Sequence, residues 1–76
     1  MFTSNISMGY APITVAFTDR STGNPHSWRW DFGDGTSSSE KNPIHTFRDP
    51  GRFKVQLTVK NYGGESTGSR TINVIL

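Results

Sequence analysis

Two carboxylates stand three positions apart in the run Trp30-Asp31-Phe32-Gly33-Asp34-Gly35. Paired aspartates can move protons as general acid and base, or hold a hard cation through oxygen. Asp31 and Asp34 lack the alternating oxygen ligands and terminal glutamate of an EF-hand loop. Aspartate beside glycine is also what a tight turn demands, because glycine supplies positive φ and the carboxylate accepts from nearby backbone N–H groups. The turn is the reading adopted for both. His45 could share a proton with either aspartate, but no nucleophile accompanies it, since none of the many serines stands in an activating context. In a strand His45 points to the same side as Phe47, so it is expected to face inward with its ring nitrogens satisfied by turn carbonyls or carboxylates. It reads as a structural latch. Gly33-Asp34-Gly35 leads into serines rather than a helix, so it is not a phosphate cradle. No catalytic residue is assigned, and the chain is expected not to be an enzyme.

Aromatic side chains offer a second kind of chemistry, because exposed indoles stack on sugar rings. Trp28, Trp30 and Phe32 recur at every second position and therefore face one way. Trp28 lies near the start of its strand, and with His26 and Tyr62 at the same end it forms a candidate ligand-binding group. The alternate positions Ser27, Arg29, Asp31, Lys54, Gln56, Thr58 and Lys60 carry no aromatic, which excludes a planar sugar platform on that face. Asn5-Ile6-Ser7 satisfies the acceptor pattern for N-glycosylation.

The elements that must position these groups are strands. Ile13, Val15 and Phe17 alternate with polar or small residues, as do Phe53, Val55, Leu57 and Val59, and then Ile72, Val74 and Leu76. Turn signals separate them at Met8 to Pro12, Ser21 to Pro25, Gly33 to Gly35, Arg48 to Gly51 and Asn61 to Gly64. Thr36 to Ser39 reads as a loop or short edge strand. Short strands with one apolar face predict an all-β, immunoglobulin-like antiparallel sandwich of about seven strands. Alternating strand directions then place Ser21–Pro25 and Asn61–Gly64 at one end. Gly9-Tyr10, Gly33–Gly35 and Asp49–Gly51 fall at the other.

Seventy-six residues suffice for a single small domain spanning 1–76. A chain of this size buries only about 60% of its unfolded surface. There is no cysteine to staple it or to bind metal. No stretch approaches the ~20 apolar residues of a membrane span, and no signal-peptide pattern is visible. Met1 directly precedes the strand-like Phe2–Ile6 and reads as an added start on a module excised from a longer protein. The net charge is +2, yet the cations Arg20, Arg29, Lys41, Arg48, Arg52, Lys54, Lys60 and Arg70 are scattered, several beside acids. A nucleic-acid surface needs clustered cations interleaved with exposed aromatics, so that class of partner is excluded, as is membrane insertion.

Four segments in order carry a resemblance: Ala11 to Asp19, Trp30-Asp31-Phe32-Gly33-Asp34-Gly35, Asn42-Pro43-Ile44-His45-Thr46-Phe47, and Pro50-Gly51-Arg52-Phe53-Lys54-Val55-Gln56-Leu57-Thr58-Val59. Together they resemble the PKD domain, the repeat named for polycystic kidney disease proteins and found in archaeal surface proteins and bacterial secreted hydrolases. The resemblance covers nearly the whole chain. It implies an immunoglobulin-like sandwich with Trp30 in the core, and a structural motif of Trp30, Asp31, Phe32, Gly33, Asp34, Gly35, His45, Phe47, Pro50, Gly51 and Phe53. Phe47 and Phe53 stand where the family commonly has tyrosine, which removes phenolic hydrogen bonds and makes that corner more apolar. The implied role is a non-enzymatic extracellular or cell-surface spacer and adhesion module that positions neighbouring domains of its own chain. The alternative is an accessory module that binds polysaccharide or protein fibres through Trp28, Tyr62 and His26. No cofactor is expected. Some family members bind calcium, and on that account Asn5, Asp19 and Asp34 are the oxygen-bearing candidates here.

Overall fold

The computed structural model describes residues 2–76, so Met1, and with it the reading of Met1 as an added start, lies outside the described residues. Eight strands follow one another: β1 (Phe2–Ser4), β2 (Met8–Tyr10), β3 (Ile13–Asp19), β4 (Ser27–Asp31), β5 (Ser37–Ser38), β6 (Ile44–Phe47), β7 (Gly51–Asn61) and β8 (Gly64–Ile75). They build two sheets, β1-β3-β6 and β2-β8-β7-β4-β5, packed face to face. The all-β immunoglobulin-like sandwich expected from the alternation is the fold observed.

Three details differ from the expectation. Met8-Gly9-Tyr10 is a strand rather than part of a turn, and it pairs with β8 in parallel, Met8 opposite Asn73 and Tyr10 opposite Ile75. The sandwich is therefore not purely antiparallel. The reason lies in the first ten residues, which split between sheets: β1 pairs antiparallel with β3, then the chain crosses at Asn5–Ser7 and β2 joins β8. Asn5 anchors the crossing, its N–H donating to the Ala16 carbonyl and its Oδ1 accepting from the Ala16 N–H at 2.9 Å. Finally, β8 is twelve residues long and not merely the apolar run at its end, because the tight turn Tyr62-Gly63 pairs Asn61 with Gly64 and carries the register unbroken to Gly51 opposite Val74.

Burial follows strand parity. Ile13, Val15, Phe17, Trp30, Phe47, Val55, Leu57, Val59, Ile72 and Val74 fill the space between the sheets, joined by Phe2 and Phe32. The Trp30 indole is fully enclosed, with ring centroids of Phe2 and Phe17 at 4.8 and 5.3 Å, and its Nε1 donates to the Glu40 carbonyl at 2.7 Å. A buried indole N–H without such an acceptor would cost about 1–3 kcal/mol. Phe53 is only half-buried and stacks on Phe47 at 4.9 Å.

Candidate functional site

The two loop-bearing ends of the sandwich hold the polar side chains that sequence pattern singled out. At the end carrying Gly33–Gly35, the chain reverses with Gly33 at φ +78° and Gly35 at φ +88°. The two aspartates hold this reversal. Asp31 Oδ1 accepts from the Gly33 N–H at 3.0 Å, and Asp34 Oδ1 accepts from the Thr36 N–H at 3.1 Å and from the Thr36 hydroxyl. The other Asp34 oxygen lies 2.7 Å from His45 Nε2. The imidazole is clamped between aromatics, parallel to Phe32 at 4.1 Å and edge-on to Phe47 at 4.7 Å. The loop between β6 and β7 closes the corner, with Phe53 against Gly51. Thr36 and Asp34 both meet the same imidazole nitrogen, so there is no relay from carboxylate through histidine to a hydroxyl. Burial raises the Asp34 carboxyl, but hydrogen bonds from Thr36 and then His45 outweigh it, and the group titrates below its ordinary 3.8. A carboxylate so occupied is a poor general base.

At the opposite end Asp19 is the buried carboxylate. It accepts from the Trp28 indole N–H at 2.7 Å and from the Ser21 N–H at 2.8 Å, while its own N–H donates to Asn42 Oδ1 at 2.9 Å. Burial again opposes ionisation, yet hydrogen bonds from Ser21 and Trp28 hold the net value below 3.8. Trp28 is thereby half-buried against the core. His26 and Tyr62 come together elsewhere on this end, with ring centroids 5.2 Å apart, and Tyr62 at the hairpin tip is 98% exposed. No ring contact joins Trp28 to either of them among the described residues. The three candidate binding aromatics are thus one exposed pair and one separate indole.

The calcium candidates are not brought together. Asn5 serves the strand crossing, Asp19 one end and Asp34 the other, each engaged with internal donors. Among the described residues no three acidic, histidine or cysteine side chains converge. One local rule explains the placement of three of the six carboxylates and of one asparagine. Asp19, Asp31, Asp34 and Asn61 each accept from the backbone N–H two residues on, at Ser21, Gly33, Thr36 and Gly63. This is the Asx turn, which ends a strand by offering the backbone a local acceptor. Sequence reasoning missed Thr36 and Asn42. The two-residue spacing from Asp34 would have pointed to Thr36, whereas Asn42 meets Asp19 only through the fold.

The PKD domain family profile matches residues 2–76. Among curated proteins the chain is similar to collagenase ColA of Bacillus cereus, with 41% identity over 54 residues, 71% of this chain but 6% of the collagenase. Among solved structures it is similar to the PKD1 domain of the Vibrio cholerae metalloprotease PrtV, at a TM-score of 0.83 and 30% identity, covering all of this chain and 94% of that one. It is also similar to a chain described under carbohydrate-binding modules of the β-sandwich superfamily, at a TM-score of 0.86 and 27% identity, covering 99% of this chain and 33% of the other.

Proposed function

The chain belongs to the PKD domain family, and from that premise we propose that it is an extracellular spacer, a non-catalytic module of a longer secreted or cell-surface protein that holds neighbouring domains apart. The observation that carries this reading is the opposite placement of entry and exit. Phe2 pairs with Asp19 at one end of the sandwich, and Ile75 pairs with Tyr10 at the other. A module traversed lengthwise sets its neighbours at a distance equal to its own length. The relatives support the reading, since a match covering 6% of a collagenase is one domain among several. The internal engagement of Asp19, Asp34 and His45 supports a non-catalytic role, and adhesion or surface-layer assembly would use the same geometry.

Tension applied through the two ends would load the parallel β2–β8 ladder lengthwise, so its hydrogen bonds must break together rather than one by one. Single-molecule pulling through the ends is expected to need a clearly higher force than pulling between a cysteine at position 52 and the C-terminal end, which unzips β7 from β8. Equal forces in the two geometries would overturn the load-bearing role.

A second reading, an accessory module for polysaccharide or protein fibres, is favoured by the likeness to the carbohydrate-binding chain and by the exposed Tyr62 over His26. Depletion of the domain by insoluble polysaccharides and by collagen tests it. Tyr62→Ala is expected to abolish depletion with unchanged stability. Trp28→Ala is expected to cost stability, though less than the ~3–5 kcal/mol of a fully enclosed indole, because Trp28 is only half-buried. No depletion by any matrix sinks this reading and leaves the spacer.

A further inference from the structure

Because β2 covers only Asn73 to Ile75 of its neighbour, the rest of β8 is the open edge of the five-stranded sheet. Which groups it offers follows from register. The Asn73 N–H donates to the Ser7 carbonyl and the Ile75 carbonyl accepts from the Ala11 N–H, so odd-numbered residues of β8 turn their backbone outward. Even-numbered residues, from Gly64 opposite Asn61 to Val74 opposite Gly51, form the ladder with β7. Glu65, Thr67, Ser69 and Thr71 therefore each present an N–H and a C=O to an open edge of about 20 Å. None of these eight groups has a partner among the described residues. The edge carries no proline and no bulge, the devices that usually blunt such a template.

A second feature lies directly behind it. The inner side of this half of β8 is not covered by the other sheet, and a hollow of about 500 Å3 opens there, floored by Val59 and walled by Ser21, Thr22, Ser66 and Glu65. Arg70, on the same inner parity as Ser66, is exposed and makes no ion pair among the described residues, whereas Glu65 already meets Lys60 at 3.8 Å.

We propose that the edge of β8 from Glu65 to Thr71 docks an extended, acidic polypeptide strand from outside this domain, which continues the ladder begun by β2. Only an extended backbone offers donors and acceptors at the repeat of this edge. Its inward side chains would enter the hollow beside Ser66, and a carboxylate would meet Arg70. The site is independent of the spacer role, and the pulling experiment does not bear on it.

The test uses the isotope-labelled domain and a capped peptide of about seven residues, the span of the open edge, alternating Val with Thr and Glu. Amide exchange is expected to slow about tenfold at Glu65, Thr67, Ser69 and Thr71, and to stay unchanged at Ser66, Gly68 and Arg70. Methylating alternate peptide amides abolishes the effect, and replacing Glu by Lys in the peptide weakens binding. Ser69→Pro removes one outward N–H without breaking a backbone bond to β7 and is expected to weaken binding about tenfold. Exchange that stays unchanged, or slows without the odd–even pattern, overturns the proposal. Slowing that follows domain concentration without peptide replaces the strand by a second copy, and equal binding of the Lys peptide removes the acidic requirement.

Discussion

His45 lies flat on Phe32 and is held to Asp34, so one side chain ties the β4–β5 turn to β6. Because folding lowers the Asp34 and Asp19 carboxyls, their contribution to stability is complete above the ordinary value of 3.8 and is lost as pH falls through the lowered values. The urea midpoint is therefore expected to fall on acidification below 3.8. Asp34→Asn should lower the midpoint at neutral pH and make the acid decline shallower, and a decline equally steep in the variant would show that Asp34 does not drive it. That Asp34 is the partner of His45 was not legible in the sequence. They lie eleven positions apart, and the sequence offered Asp31 and Asp34 alike as carboxylates for the imidazole.

Among elements, the β4–β5 turn shows how backbone geometry and close approach combine. A Cβ at Gly33 would lie 2.7 Å from the Lys54 carbonyl oxygen, whereas one at Gly35 meets nothing within 4 Å, and both residues have positive φ. Gly35→Ala is expected to cost about 1–2 kcal/mol for the left-handed backbone alone. Gly33→Ala should cost about 1–3 kcal/mol more, because β7 backbone must move. Chemical denaturation of the pair measures the difference, and equal losses would mean that the approach to Lys54 is slack. The legibility of the elements follows the same physics. In β7 the apolar residues Phe53, Val55, Leu57 and Val59 alternate, so sequence alone located it. The first eight of the twelve residues of β8, Gly64 to Thr71, include no apolar residue to alternate, and only pairing with β7 makes them a strand. Met8-Gly9-Tyr10 reads as a turn because glycine interrupts it, yet Gly9 lies over Ile13, where an added Cβ would strike the Ile13 side chain. The sheet-switching crossing depends on Asn5 finding Ala16, a contact that no periodicity encodes.

The whole molecule measures 42 × 21 × 16 Å between Cα atoms, and its length matches that of the β7–β8 hairpin, eleven and twelve residues at about 3.3 Å each. The hairpin is local in sequence, with its strands joined by the two residues Tyr62 and Gly63. The β2–β8 ladder is the reverse case, since it joins Met8 to Asn73 across almost the entire chain. Closing that loop requires the largest loss of chain entropy of any strand pair here, and the reward comes only after the sheets exist. The joint placed to resist tension is thus the last that a refolding chain can make. Substitutions in β2 are expected to speed unfolding while leaving the folding rate nearly unchanged, with φ-values near zero in a chevron series, and φ-values near one would contradict it. A module stretched until β2 detaches would keep a formed hairpin as the template for its return, so that recovery after overload begins from a partly folded chain.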